Sequence, residues 1–503
     1  MDKAKIQKIV DEIWPKVREK HLYPPLPKPK VDKLGNTVAF ISAVNKQIII
    51  NFDYVLEMSR KLEIRKILEA ILDHEIAHYT FCPWDVCTHV SLYMKSLEIT
   101  KNKEKARILT DYFMDVVVNT YCVSEMETNI PSFYKVMDKS SFDKLICSLY
   151  QKIWDYDLGV EEFEVAKKLA KIPYLDRNKW ERSIKLFSLF LRDYIDKTSK
   201  YIIFHPFDRY SEDEISRGLR KIAVKFRDPL KFKKIIEILG KKESAEFAAL
   251  AFYRELAEEY KLLVERKKII GGGGLYPFIL KSWEFDEPLN DLDLFNSYGK
   301  ILPSVTKIWR KKDAGLETKS EKVPDCLIII DSSGSMTNPF YKLSFAVLGA
   351  MCAANAYLDR NSKVAVYNFG YSDEGSELIV NYTKDRNLVH RAIITYFGGG
   401  TTINLKNVEK LVQLAGNPDV FMITDMEIYN LEDVIKLFKK LNNRITIVYL
   451  KTAKEVKKIK RELSPKKNIA FYSVFKKEDI PKIILGRVSD ILPALTSFHP
   501  EAR

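Results

Sequence analysis

The chain has 503 residues, of which 46% are hydrophobic and 30% charged, with 82 Lys and Arg against 68 Asp and Glu for a formal net charge of +14. That length is too great for one ordinary core, so about two to four domains are expected, and the composition is that of a soluble globular protein. The basic residues are spread among acids on helical segments, so they read as solvated helix faces rather than a nucleic-acid surface, and no run of about 20 apolar residues offers a membrane span.

The start, Met1-Asp2-Lys3-Ala4-Lys5, leads into an amphipathic pattern instead of an apolar core, which argues against a secretory signal. The scattered Cys82, Cys87, Cys122, Cys147, Cys326 and Cys352 read as reduced thiols, so a cytoplasmic location is expected. Ile6, Ile9, Val10, Ile13 and Trp14 recur at helical spacing and predict an opening helix that Pro15 kinks or ends. The Pro-rich segment Tyr23 to Pro27 breaks any helix. Thr37 to Ser42 and Gln47 to Phe52 are β-rich runs joined by Ala43 to Lys46, and they predict a hairpin.

Leu62, Ile64, Ile67, Leu68, Ile71 and Leu72 then mark a helix that carries His74-Glu75-Ile76-Ala77-His78. Residues four apart lie one turn above each other, so both imidazoles can reach one Zn²⁺ while Glu75 faces its bound water. A later helix, Asp111 to Asn119, places Asp111, Asp115 and Asn119 on one face and can supply an acidic third ligand. H-E-x-x-H followed by a D-x-x-x-N helix resembles the metallopeptidase-like domain found beside von Willebrand A-like domains in bacteria and archaea. The resemblance covers about Thr37 to Asn119 and implies Asp115 as the third ligand. The gluzincin pattern would instead make Asp111 the ligand, so the exchange stays open. Cys82, Cys87 and His89 lack a second ligand pair and read as structural.

From Phe133 to about Ile270 the patterns are helical, as in Phe163 to Ala170, Trp180 to Ile195 and Phe247 to Val264, and they identify no chemistry. Gly271 to Gly274 reads as a hinge, because nothing there restricts φ. Leu275 to Pro324 is expected to pack against the last domain. From Val323 onward, strands near Cys326, Val364, Leu378, Val420, Ile445 and Ile469 alternate with helices near Tyr341, Leu388, Leu405, Leu431 and Ile480, which predicts a doubly wound sheet.

The apolar run Cys326 to Ile330 reads as a buried parallel strand, and the loop after it, Asp331-Ser332-Ser333-Gly334-Ser335, offers an aspartate and two hydroxyls at alternate positions. Three hard oxygen donors suit Mg²⁺ or Mn²⁺. Gly398-Gly399-Gly400-Thr401-Thr402 is a turn able to bring a hydroxyl close, and Val420 to Asp425 is a second apolar strand ending in an acid. These three pieces together resemble the metal-ion-dependent adhesion site of von Willebrand factor A domains. By motif, the resemblance implies Asp331, Ser333, Ser335, Thr401 and Asp425 as the metal set, with Thr402 as the substitute for Thr401. It also implies hydroxyls binding the ion directly, aspartates acting largely through water, and a partner's carboxylate completing the shell. Met426 stands where a Gly often follows the last Asp.

The expected architecture is therefore multidomain, α+β and α/β: a zincin-like domain over 1–130, a helical middle domain over 131–270, a glycine hinge and linker over 271–322, and a von Willebrand A domain over 323–503. The expected chemistry is zinc-assisted hydrolysis of a peptide bond with Glu75 as base, and Gln47 to Phe52 is the strand expected to receive an extended peptide by β-addition. Tyr79, Tyr112 and Tyr121 are oxyanion candidates by proximity in sequence only. The competing expectation is a binding module that captures a protein carboxylate through Mg²⁺, and the resemblance implies a MoxR-type AAA+ ATPase as its partner.

Overall fold

The structure is a computed structural model that describes residues 2–195, 209–240, 244–269, 275–284, 287, 289–303, 305–313, 323–370, 376–449, 459, 461–463, 466, 468–473 and 479. The Asp2 carboxylate accepts from the Lys5 amide and caps α1 (Lys3–Lys20), which buries Ile6, Val10, Ile13, Trp14 and Val17 as one stripe. Pro15 does not end this helix. Proline removes a single amide donor, and the buried stripe continues on both sides of it.

β1 (Lys30–Asp32), β2 (Ala39–Ile41) and β3 (Ile48–Asn51) form a sheet in the order β1-β3-β2. β2 and β3 are the two antiparallel arms of the hairpin, with Ala39 opposite Ile50, and β1 joins β3 in parallel. Asn51 ends β3 by turning its side chain to the backbone: Oδ1 accepts from the Asp53 amide at 3.1 Å and Nδ2 donates to the Thr37 carbonyl at 2.7 Å. It thereby caps α2 (Phe52–Met58), so Phe52, expected in the strand, is helical.

α3 (Ile64–Thr80), α4 (Val86–Thr100) and α5 (Lys103–Met126) follow, and α3 and α5 are buried around most of their circumference. Such helices need covering layers on more than one side. α6 (Ile130–Val136), α7 (Ser141–Trp154), α8 (Glu164–Leu169) and α9 (Trp180–Leu191) supply them, and one hydrophobic core runs from Ile6 through Phe113 and Leu145 to Leu191. The boundary expected after residue 130 falls inside this core, because α6 packs on α3 and α7 on α5.

α10 (Glu212–Phe226), α11 (Pro229–Ile238) and α12 (Ala245–Ile269) come next. A small sheet of β4 (Leu275–Ser282), β5 (Leu292–Asp293) and β6 (Lys307–Asp313) then forms in the order β4-β6-β5. The expected hinge at Gly271 to Gly274 lies outside the described residues.

The remaining elements alternate as the sequence predicts: β7 (Cys326–Asp331), α13 (Phe345–Leu358), β8 (Val364–Phe369), β9 (Glu377–Thr383), α14 (Arg386–Ile394), α15 (Leu405–Leu414), β10 (Asp419–Thr424), α16 (Leu431–Lys440), β11 (Ile445–Tyr449) and β12 (Ile469–Ser473). They form one sheet in the order β12-β11-β10-β7-β8-β9, parallel except for β9, which runs antiparallel to β8. The helix expected near Tyr341 starts at Phe345, where the Ser344 hydroxyl caps it, and the one expected near Ile480 lies outside the described residues. β7 has β8 on one side and β10 on the other, so the carboxyl ends of β7 and β10 form a topological switch point.

α13 has no polar face; Ala346 to Tyr357 are all buried. The sheet covers one side of it and α12 another. Tyr253 of α12 accepts from the Ser344 amide at 2.7 Å and donates to the Lys342 carbonyl at 3.2 Å, while Arg254 donates to His390 Nδ1 at 3.0 Å. The chain thus divides into two compact units, 1–218 with 277–312, and 219–276 with 313–503. Helices expected as one middle domain are shared between them. Among the described residues no helix is long and apolar enough to cross a membrane.

Candidate metal centres

His74 and His78 lie one turn apart on α3, and Asp115 reaches them from α5. His74 Nε2 and His78 Nε2 are 3.1 Å apart, His78 Nε2 and Asp115 Oδ1 3.2 Å, and His74 Nε2 and Asp115 Oδ1 3.7 Å. Tetrahedral Zn²⁺ with bonds of about 2.0–2.1 Å separates its ligand atoms by about 3.3 Å, so the three atoms are spaced as three corners of that tetrahedron. Asp111 is buried one turn earlier on α5 but is not part of this group, whose ligand atoms all lie within 4.8 Å of one another.

The outward nitrogens decide what the inward ones can do. His74 Nδ1 lies 2.8 Å from Asn119 Oδ1, and His78 Nδ1 lies 2.7 Å from the Cys82 carbonyl oxygen. Both facing atoms are acceptors, so each Nδ1 carries the ring proton and donates it. Each Nε2 then turns a lone pair toward the other and toward a carboxylate. A positive charge between them, a proton or a metal ion, relieves the repulsion, and the donor set, spacing and tautomers all suit Zn²⁺.

Glu75 is 2% exposed; burial pushes its carboxyl up, with His74 and Arg209 pulling it back and Asp115 adding to the rise. Beside it is a cavity of about 20 Å³ lined by His74, Glu75, Asn119, Val38, Phe133 and Tyr134, on the scale of one water molecule. The oxyanion candidates fare differently. Tyr112 donates its hydroxyl to Asp143 Oδ1 at 2.8 Å, Tyr121 stacks its ring on Phe81 at 3.9 Å, and Tyr79 is half-buried. His89 bonds Tyr210 through Nδ1 at 3.2 Å. Asn119, the Cys82 carbonyl, Tyr134 and Tyr150 have site roles that the sequence reading did not assign. Only the Asp115 to Asn119 spacing gave a signal, placing both on one helix face.

The second centre sits at the switch point. Ser333 N donates to Asp331 Oδ1 at 2.9 Å, the Ser333 and Ser335 hydroxyls are 3.2 Å apart, and Thr424 donates to Asp331 Oδ2 at 2.7 Å. The glycine turn is pinned to this loop by backbone bonds of 2.9 Å from Gly334 N to Gly399 O and from Gly398 N to Ser332 O. A Cβ on Gly334 would stand 3.2 Å from the Gly399 carbonyl oxygen, which is why the loop carries no side chain there. Asp331, Ser333, Thr401 and Asp425 are buried and Ser335 is exposed. Thr402 donates its amide to the Gly370 carbonyl at 3.0 Å, with its side chain half-buried.

Met426 adopts φ +71°, the left-handed conformation that favours glycine. Its fully buried side chain and its amide, bonded to Thr424 Oγ1 at 3.0 Å, hold it there, so the loop keeps its shape without a glycine. Burial pushes the Asp331 carboxyl up, with hydrogen bonds from Ser333 and Thr424 offsetting this and Asp425 adding to it. Two buried acids and several hydroxyls make an all-oxygen donor set suited to Mg²⁺ or Mn²⁺.

No protein-family model matches the chain, and no curated protein does. Among solved structures it is similar to the SpRpn10 VWA domain, at 14% identity over 35% of this chain and 100% of that one, with a TM-score of 0.27. It is similar to an aerotolerance-related membrane protein from Bacteroides fragilis carrying multiple mutations to serine, at 14% identity over 33% of this chain and 99% of that one, with a TM-score of 0.24. It is also similar to the vWF domain of the type V pili tip protein Mfa5 from Porphyromonas gingivalis, at 10% identity over 34% of this chain and 96% of that one, with a TM-score of 0.27.

Proposed function

We propose that the chain is a zinc-dependent peptide hydrolase joined to an interaction domain. His74, His78 and Asp115 hold Zn²⁺ and Glu75 is the base, while Asp331, Ser333, Ser335, Thr401 and Asp425 hold Mg²⁺ or Mn²⁺ and offer it to a carboxylate of a protein partner. The observation that carries the first half is the convergence of two lone pairs and a carboxylate at 3.1 to 3.7 Å, with both ring protons committed outward. Zn²⁺ bound there supplies Lewis acidity, polarising a carbonyl and acidifying water.

The chain's own residues do the rest. Glu75 takes a proton from a water in the adjoining cavity and returns it to the leaving amine. β3 is paired on both sides and has no free edge for a substrate, so the β-addition expected there moves to β2, the edge strand on the side of the cavity. Val38, next to β2, lines the same cavity as His74 and Glu75, which brings that edge beside the reacting group. Elemental analysis should find zinc in the wild type and not in His74→Ala. Glu75→Gln should keep zinc and lose hydrolysis of a peptide library; undiminished turnover would remove Glu75 as the base.

A second reading is a non-catalytic adaptor with a silent zinc centre. It is favoured by the burial of His74, His78 and Asp115 beside a cavity of only about 20 Å³, and by the exposure of Ser335 at the other centre. Its partner class, taken from the resemblance, is a MoxR-type AAA+ ATPase. Pull-down with Mg²⁺ present should weaken in Asp331→Ala, and an unchanged pull-down would count against the adaptor.

A further inference from the structure

Asn119 is fully buried, and its amide faces His74 on one side and two phenols on the other. We propose that Asn119 is a positioning residue of the metal centre, fixing the tautomer of His74, and that Tyr134 and Tyr150 hold the other end of its amide as acceptors. This rests on the zinc reading above.

An amide can be placed two ways, and only one leaves His74 able to ligate. With the oxygen toward His74 Nδ1, as observed at 2.8 Å, that nitrogen donates and Nε2 keeps its lone pair. With the amide reversed, an N–H would point at Nδ1, the ring proton would move to Nε2, and an N–H would face His78 and Asp115 where a donor atom is needed. Ligation through Nε2 therefore requires the observed placement, which turns the amide nitrogen toward Tyr134 and Tyr150.

Asn119 Nδ2 lies 2.9 Å from the Tyr134 hydroxyl and 2.8 Å from the Tyr150 hydroxyl, so its two hydrogens fill two phenolic acceptors. Losing either acceptor would leave a buried amide hydrogen unpaired, at a cost of about 1–3 kcal/mol.

The phenols are themselves held in place. Tyr150 stacks on Trp154 at 4.0 Å and meets Tyr134 edge-on at 5.0 Å, and Trp154 Nε1 donates to Thr120 Oγ1 at 3.4 Å, tying α7 back to α5. α5 therefore supplies the acidic ligand and, one turn on, the group that orients a second ligand. α6 and α7, whose sequences gave no chemical signal, contribute the phenols. An amide partner also leaves His74 a weaker donor than a carboxylate partner would.

The test uses the full chain, with Zn²⁺ affinity measured by competition against a chromophoric chelator and the visible absorption of bound Co²⁺ as a second readout. Asn119→Leu removes the acceptor and should weaken Zn²⁺ binding roughly 10–100-fold. Asn119→Asp keeps an acceptor and should bind at least as tightly as the wild type. Tyr150→Phe should weaken binding less than Asn119→Leu and shift the Co²⁺ bands; it carries the test if Asn119→Leu does not fold. Asn119→Leu binding like the wild type, or both Asn119 variants losing affinity alike, would overturn the positioning role and leave the zinc reading standing. A wild type that binds no zinc would overturn both.

Discussion

Zinc should stabilise the folded chain through one defined set of side chains. Two imidazole nitrogens and a carboxylate oxygen face one another at 3.1 to 3.7 Å, and Zn²⁺ bound among them would bridge all three. A ligand that binds only the folded state at a free concentration 100 times its Kd adds about 2.7 kcal/mol of stability. The unit holding the centre spans 1–218 and 277–312, which is 218 + 36 = 254 residues. At that size each kcal/mol moves Tm by about 2–4 °C, so saturating zinc should raise the midpoint by roughly 5–11 °C. Scanning calorimetry with buffered zinc and with chelator reads this directly. His78→Ala and Asp115→Ala should abolish the shift, each compared with its own zinc-free form, and Asp111→Asn should retain it. An undiminished shift in His78→Ala, or loss in Asp111→Asn with retention in Asp115→Ala, would refute the assignment.

Burial pushes the His390 imidazole down to about 3, with Arg254 and Arg386 adding to the effect. The folded value lies below the unfolded one of about 6.5, so the unfolded chain takes up the extra proton; this contribution to stability is complete above about pH 6.5 and is lost as pH falls toward 3, at up to about 1.4 kcal/mol per unit. Urea midpoints across that window should flatten in His390→Gln. Tyr253→Phe strands the Ser344 amide and the Lys342 carbonyl and should destabilise the second unit by about 1–3 kcal/mol in denaturant titration, with fold retained by circular dichroism. Phe187 is fully buried in the core shared by α5 and α9, so Phe187→Ala should cost about 3–5 kcal/mol, and a fragment ending at residue 130 should show no cooperative melt.

The strands of the large sheet were legible because each is covered on both faces, which writes an unbroken apolar run such as Cys326 to Ile330 into the sequence. The helices between 131 and 269 were legible as helices but not as members of a unit. An amphipathic stripe says that a face is buried, not which surface buries it. α13 did carry a usable signal: a helix apolar all round, from Phe345 to Leu358, requires a second cover beyond its sheet, and α12 is that cover. In the hairpin, both strands share the same alternation, so only the added β1 reveals that β3 is central and β2 keeps a free edge.

The candidate sites were legible to different depths for a geometric reason. Helical spacing fixes the face on which a residue lies but not its height against a neighbouring helix. Asp111 and Asp115 were therefore equivalent by spacing, with only the resemblance favouring Asp115, and a displacement of one turn, about 5.4 Å, separates the carboxylate that meets the histidines from the one that does not. The Cys82 carbonyl could not be read at all, since any residue type offers one. The motif at Asp331 was more explicit, because its pieces fall at strand ends and a parallel sheet aligns the carboxyl ends of its strands at one edge.

The two donor sets also differ in how they can be completed. One carries imidazole nitrogens and is buried, with a cavity of about 20 Å³ beside it; the other is all oxygen and includes the exposed Ser335. Imidazole selects zinc over magnesium, whereas hard oxygen donors suit magnesium and manganese. A buried site can hold a small reactant away from bulk water, and a site with an exposed ligand can take its last donor from another molecule. Mg²⁺ should therefore strengthen partner capture without altering the zinc-dependent melting shift, and His74→Ala should remove that shift while leaving Mg²⁺-dependent capture intact. Loss of both responses in His74→Ala would mean that the two centres are not independent.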